Sequence, residues 1–341
     1  MENSILYMLR KYWYLIVLSL AISLPLTYLG LYRTNEALIL KGGANNFVDV
    51  VEIDTDYKVS GSFSTLYVIS MERSTKLQNL ITKNDPTIER YTMSTDSASI
   101  GDIDSYRASK IEYDSSISNA LILAYKEANK VNNNINIVYE FKGYDVTYYS
   151  EKSRFRIGDR IVKIKSHYYN DRIILPTNEA EFRKAINNLT FNSDIITIER
   201  NNELIDIDIT SDDYFYGYSM YDIDANNTKP GFKIKNTSLG GPSGGLLQTL
   251  SIYDRLTGNN LTKGKKIAGT GTISYKGEVG AIGGIKEKVP TAVDNNIDVF
   301  FCPSVNYEDA LLAYNSLPNS KRMKLVKIDT FYDALNYLKN M

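Results

Sequence analysis

The sequence predicts an α+β multidomain protein: an N-terminal transmembrane helix, a β-rich domain, and a C-terminal α/β domain. Three observations carry that expectation. Tyr12–Tyr32 holds no charged residue. Residues 134–211 run through short β-branched strands around one amphipathic helix. After Pro230-Gly231, strand-like and helix-like segments alternate to the end of the chain. The divisions expected are a cytoplasmic tip and anchor at 1–33, an α/β region at 34–133, the β-rich domain at 134–211 and the α/β domain at 212–341.

Composition narrows the chemistry. Of 341 residues, 39 are basic and 40 acidic, so net charge points to no nucleic-acid partner. The single Cys302 excludes an internal disulfide and a multi-cysteine metal site, and the single His167 excludes a histidine cluster. No metal or cofactor is implied. A Ser-His-Asp triad would need that one histidine, which lies among Lys165, Tyr168 and Tyr169 and reads as a surface residue.

Tyr12–Tyr32 would span about 31 Å as a helix, matching a hydrocarbon core of roughly 30 Å. Trp13, Tyr14, Tyr28 and Tyr32 stand near its ends as interfacial aromatics, and Pro25 is tolerable in such a helix. A cleavable signal peptide competes with this reading, but no small-x-small cleavage site follows before the next charges. The pair Arg10-Lys11 places the N-terminus in the cytoplasm and everything after Arg33 outside, a single-pass topology.

In the next region, Phe47–Ile53 and Leu66–Met71 read as strands. Asp114–Asn129 reads as a helix capped by Ser115 or Ser116, with Ile117, Ala120, Leu121, Ala124 and Ala128 on one face. No chemistry is visible there. From 134, a strand at Ile135–Glu140 meets a turn at Gly143–Val146 that leads into another strand, then an apolar stretch broken by Gly158-Asp159. A helix over Asn178–Leu189 and strands at Asp194–Glu199 and Leu204–Thr210 complete the unit. Tyr214–Asp224 has no clear periodicity and reads as a connection.

The α/β region is organised around Leu239-Gly-Gly-Pro-Ser243-Gly-Gly-Leu246. Leu246, Leu247, Leu250, Tyr253 and Leu256 follow at helical spacing, so Ser243 sits where a turn enters a helix. Unpaired N–H groups there favour developing negative charge, the geometry of an oxyanion site built from the Gly241-Pro242-Ser243-Gly244 backbone. A glycine-rich turn of this kind could equally cradle a phosphate. Ile282-Gly-Gly-Ile-Lys286-Glu-Lys288 offers a lysine at a later turn-to-helix junction. A serine hydroxyl needs a base, and a lysine serves only when burial and a helix N-terminus hold it neutral. Ser243 as nucleophile and Lys286 as base is the expected pairing, with Glu287 and Lys288 pointing elsewhere into solvent. Asp254 reads as an exposed helical residue and Cys302 as a buried small hydrophobe.

Two resemblances follow. Arg156-Ile-Gly-Asp-Arg-Ile161 and the order of elements around it resemble a PDZ domain of the bacterial protease type. PDZ domains bind peptide ends by strand addition, and Gly143, Tyr144, Asp145 and Val146 would then form the carboxylate-facing loop. A small packing domain without ligand stays open as the alternative. Residues 232–304 resemble the proteolytic domain of the Lon proteases, through Gly-Gly-Pro-Ser243-Gly-Gly-Leu, Gly-Thr270-Gly-Thr-Ile and Gly-Glu-Val-Gly-Ala-Ile-Gly-Gly-Ile-Lys286-Glu-Lys. A Ser243-to-Lys286 separation of 43 residues is similar to that family's.

The whole layout is similar to membrane-anchored PDZ–Lon-type serine peptidases of Gram-positive bacteria. That implies an endopeptidase acting on exported peptides or on unfolded, membrane or secreted proteins, with Thr270 as a hydroxyl near the lysine and a hexamer as a possible assembly. No Gly-x-x-x-x-Gly-Lys-Ser/Thr occurs, so cleavage is expected to be ATP-independent. Gly244 stands where the family has alanine, and Pro290 fits a regular helix only within its first turn. On those two residues an inactive peptide-binding membrane scaffold stays open as the second reading.

Overall fold

The computed structural model describes residues 2–46, 50–85, 88–93, 101–235, 239–317 and 323–341. It is mixed α and β and divides into two compact units, residues 1–40 with 69–98, and residues 41–68 with 99–341.

In the first unit, α1 (Glu2–Leu31) is continuous through Pro25. Its stretch Arg10–Leu31 is long and apolar enough to cross a membrane, and none of it is buried against protein. A helix this apolar and this unburied has no core to explain it. Helix α2 (Lys76–Thr82) opens on a capping box between Thr75 and Gln78. The start of β1 (Glu36–Asn46) pairs antiparallel with β4 (Glu89–Thr92).

The second unit is built on α3 (Asp102–Asn129), two larger sheets, two two-stranded sheets and five further helices among the described residues. The predicted Phe47–Ile53 strand is β2 (Val51–Ile53), and its first three residues lie outside the described residues. Helix α3 begins about three turns before the predicted Asp114, behind Gly101. Its first turns are polar, so apolar periodicity could not announce them. Ser115 and Ser116 therefore cap nothing; both are buried in the middle of the helix.

The β-rich body, in sheet order, is β10 (Phe215–Ile223), β5 (Tyr139–Tyr149), β6 (Arg160–Ser166), β8 (Ile195–Arg200) and β9 (Glu203–Asp208), with β7 (Arg172–Ile174) also beside β6. Helix α4 (Glu179–Asn187) buries Phe182 and Ala185 against it. Asp159 of the Gly-Asp turn accepts two hydrogen bonds from Arg200 and one from the Arg156 N–H, while Gly158 turns at φ +85°. Asp145 accepts the Arg160 fork in the same way.

Two expectations fail in this body. Gly143–Val146 is not a turn but the interior of β5, with Tyr144 and Asp145 paired to β6 on one edge and Gly143–Val146 paired to β10 on the other. A strand with both edges taken cannot accept a peptide strand. Tyr214–Asp224 is not a loose connection; it supplies β10. Tyrosine replaces the expected apolar residues there: Tyr221 accepts from Arg183 and donates to Glu179 on α4.

The α/β region holds a parallel sheet in the order β16 (Lys324–Ile328), β15 (Val299–Pro303), β12 (Lys266–Gly269) and β3 (Ser62–Met71). All five β15 residues are buried, as a strand covered on both faces requires. Ile267, Val299 and Phe301 face a core shared with α3, α5 (Gly245–Thr257) and α8 (Phe331–Asn340). The alternate residues Ala268, Phe300 and Cys302 face α6 (Ile285–Asp294) and α7 (Tyr307–Ser316). Between β12 and α6 lies the hairpin of β13 (Thr272–Ile273) and β14 (Val279–Gly280); β11 (Phe232–Ile234) pairs with β2. Helix α8 opens on a capping box between Thr330 and Asp333.

Gly143 tests the strand assignment. Its φ is +124°, and a Cβ there would lie 2.2 Å from the Ile161 carbonyl oxygen. Gly143→Ala is expected to cost about 2–4 kcal/mol in urea unfolding of the full chain in detergent. A loop residue would cost under about 1 kcal/mol.

Candidate active site

The Ser243 turn is shaped by glycines at two points where nothing else fits. Gly241 turns at φ +77°, and its N–H donates to Ser109 O of α3 at 2.9 Å. A Cβ on Gly245 would meet Ile273 Cγ2 at 2.7 Å and Ser116 Oγ at 2.9 Å, so the helix can start this close to β13 only with glycine. The Ser243 carbonyl accepts from the Gly271 N–H at 2.8 Å and from Thr270 Oγ1 at 3.1 Å, and Ser116 Oγ donates to the Pro242 carbonyl at 3.1 Å. Among the described residues, no acceptor engages the N–H of Ser243 or Gly244. They stand at the start of α5, where an oxyanion would be stabilised. The N–H of Gly241 is spent on Ser109, so that glycine shapes the turn instead.

The lysine beside Ser243 is Lys288. Its Nζ lies 3.1 Å from Ser243 Oγ and 3.2 Å from Thr270 Oγ1. Lys286 is exposed and does not meet Ser243. The reason is helical geometry. Helix α6 starts at Ile285, behind Gly284 in the left-handed region, and its buried stripe is Ile285, Lys288, Val289 and Ala292. Positions i, i+3, i+4 and i+7 share a face; i+1 does not. The sequence carried this signal, since Lys288 occupies an apolar slot of the stripe. The 43-residue separation drew attention to Lys286 instead, whereas the observed contact spans 45 residues.

Lys288 is 2% exposed. Burial pushes its amine down from 10.5 to about 8, against the opposing pull of Glu287. Burial also pushes the Cys302 thiol up to about 12, so it stays neutral. Pro290 lies in the second turn of α6 rather than the first, and the helix still continues to Asp294. Asp254 is 1% exposed, not solvent-facing: its Oδ1 accepts from the Leu261 N–H at 2.8 Å and ties down the chain after α5. His167 is exposed and Cys302 buried, both as expected. Among the described residues, no group of His, Cys, Asp and Glu could hold a metal ion.

A hydroxyl, a dry amine and unspent N–H groups at a helix start are the parts of an acyl-transfer site. Residues 235–338 match the Lon protease (S16) C-terminal proteolytic domain. This segment is similar to the Lon proteolytic domain. It is 34% identical to a Lon protease of Neorickettsia sennetsu over 101 residues, covering 30% of this chain and 12% of that protein. A Lon protease of Campylobacter jejuni is 34% identical over 99 residues, covering 28% of this chain and 12% of its own length. The chain thus spans about 12% of the length of these curated relatives. The Lon-type match begins after the β-rich body and includes Ser243, Thr270 and Lys288.

The buried amine has a measurable thermodynamic signature. Its folded pKa is lower than its unfolded one, so between pH 8 and 10.5 the unfolded chain holds more protons and stability rises with pH. Below that window the penalty is complete, on the order of 3 kcal/mol. Lys288→Met is expected to be more stable than wild type at pH 7 and to lose the rise between pH 8 and 10.5. Unfolding by denaturant at pH 7, 9 and 10.5 checks this; an unchanged pH dependence would show the amine is not buried.

Proposed function

We propose that this protein is a membrane-anchored, ATP-independent serine endopeptidase whose Ser243 and Lys288 form the catalytic pair. The observation that carries the proposal is the 3.1 Å separation of Ser243 Oγ and Lys288 Nζ at a buried position. It lies within a segment similar to the Lon proteolytic domain. Ser243 Oγ attacks the scissile carbonyl carbon as its proton passes to the neutral Lys288 amine. The oxyanion is held by the N–H groups of Ser243 and Gly244. The lysine, now protonated, gives its proton to the departing amine, and a water activated by the same amine releases the acyl group. Thr270, bonded to both Lys288 Nζ and Ser243 O, aligns the pair.

The unburied apolar helix supports anchoring, and Arg10-Lys11 on its N-terminal side supports an extracytoplasmic protease. The chain carries no phosphate-binding Gly-x-x-x-x-Gly-Lys-Ser/Thr, which supports cleavage without ATP. Substrates are exported peptides or unfolded membrane and secreted proteins. The PDZ-like reading of the β-rich body rests on its Gly-Asp turn and on one helix packed against an antiparallel sheet. Its β5 edge is filled by β10, so β5 itself is not where a peptide adds.

Casein cleavage by the detergent-solubilised full chain tests the assignment. Ser243→Ala and Lys288→Ala are expected to lower kcat/KM about a thousandfold or more, while Lys286→Ala stays within about twofold of wild type. A loss in Lys286→Ala equal to that in Lys288→Ala would refute the pairing. Because the base must be neutral, wild-type kcat/KM is expected to climb with pH through a midpoint near the free-enzyme value of about 8.

A further inference from the structure

The β-rich body meets the proteolytic domain across a cleft of about 570 Å³. One wall is Tyr216–Ser219 of β10; the other is the β13–β14 hairpin, Thr272 to Ala281. The hairpin wall starts two residues after Thr270, which touches Lys288, and one residue after Gly271, whose N–H holds the Ser243 carbonyl. The hairpin wall is thus continuous in sequence with the residues that hold Ser243.

Three features indicate what it receives. Among the described residues β10 has β5 as its one strand partner, which leaves its outer edge toward the cleft without a ladder. Two polar atoms lining the cleft are buried and unpaired: Asn119 Oδ1, on α3, and Ser219 Oγ, in a residue 4% exposed. A buried acceptor without a donor is costly, and a ligand that supplies the donor recovers that cost. Arg183 of α4 stacks on Tyr275 of the hairpin at 4.7 Å and donates to Tyr144 OH at 3.0 Å, tying the two walls together. A strand edge without a ladder, its Ser219 carbonyl held by Ser115 Oγ but an acceptor and a hydroxyl beside it unspent, suits a ligand rich in N–H and C=O groups along an extended line. That ligand is a polypeptide main chain.

We propose that this cleft binds the substrate polypeptide in extended form alongside Tyr216–Ser219 on its way to Ser243. The β-rich body then serves as one wall of the substrate channel. The inference rests on the proposed peptidase function for its occupant.

The test measures binding, so it does not depend on turnover. Ser243→Ala full chain in detergent is exposed to fluorescein-labelled casein and, separately, to casein carrying benzophenone groups. Photo-crosslinks are expected on Tyr216–Ser219 and on 272–281. In the same background, Asn119→Leu with Ser219→Ala is expected to weaken casein binding about tenfold by anisotropy. Its thermal midpoint should fall little, since the changes remove two unpaired buried atoms and one long 3.5 Å bond from Asn119 Nδ2 to Ser115 Oγ. Crosslinks confined to other surfaces, or unchanged affinity in the double variant, would overturn the proposal. Crosslinking in the cleft together with an inactive wild type would instead remove the peptidase reading and leave the polypeptide site standing.

Discussion

The structure depends on keeping one primary amine out of water. Lys288 occupies a slot in the stripe Ile285, Val289 and Ala292 that a methionine would fill more cheaply. Desolvation disfavours its ammonium, and its place in the opening turns of α6 puts it near the positive end of a helix dipole. Both effects act toward the neutral form that a serine needs as its base. What keeps the amine from being an orphan is a pair of hydroxyls, Ser243 and Thr270, at hydrogen-bond distance. The alternation along β12 and β15 completes the enclosure, because Ala268, Phe300 and Cys302 face the same core as α6.

Close backbone approach is the second constraint, and it follows from the first. Ser243 reaches the amine only because α5 begins hard against β13 and the loop after β12. Leu246 N–H donates to Gly271 O, and Gly271 N–H returns to Ser243 O. At Gly271, φ is +148° and a Cβ would lie 2.5 Å from Val279 Cγ1. Glycine at 245 and 271 thus sets the distance between the two chains, and with it the distance between hydroxyl and amine. Gly244 has a looser role: its φ is −89° and a Cβ would meet Thr65 Cγ2 at 3.1 Å, so alanine is tight there but not forbidden.

Much of this was legible in residue order. The alternation of strands and helices after Pro230-Gly231 and the Ser243 turn follow from apolar period and turn chemistry. Three features did not follow. Helix α3 opens with polar turns, so its length beyond Asp114 has no apolar signature. Strand β10 draws its packing from tyrosines, whose hydroxyls pair with Arg183 and Glu179, and a hydropathy pattern does not register them. Lys288 was hidden by its own charge: a lysine within an apolar stripe reads as a solvated side chain unless the helix face is drawn first. The first two failures are tertiary packing overriding local signal, as propensity arguments allow. The third is a buried charge breaking a local rule, as residues at candidate sites are expected to do.

Helix α3 explains how a region without chemistry of its own can matter to the site. Ser115 Oγ donates to Ser219 O of β10 at 2.7 Å, and Ser116 Oγ donates to Pro242 O at 3.1 Å, one residue before the nucleophile. Adjacent residues on a helix point about 100° apart, so β10 and the Ser243 turn hang from neighbouring faces of one helical turn. Seven residues earlier, roughly 10 Å along the axis, Ser109 O takes the Gly241 N–H and fixes the other end of the turn. The spacing between the β-rich wall and Ser243 is therefore set by the repeat of a single helix and does not depend on a flexible junction between domains. A rigid ruler of that kind holds whatever lies along β10 at a defined distance from the Ser243 hydroxyl.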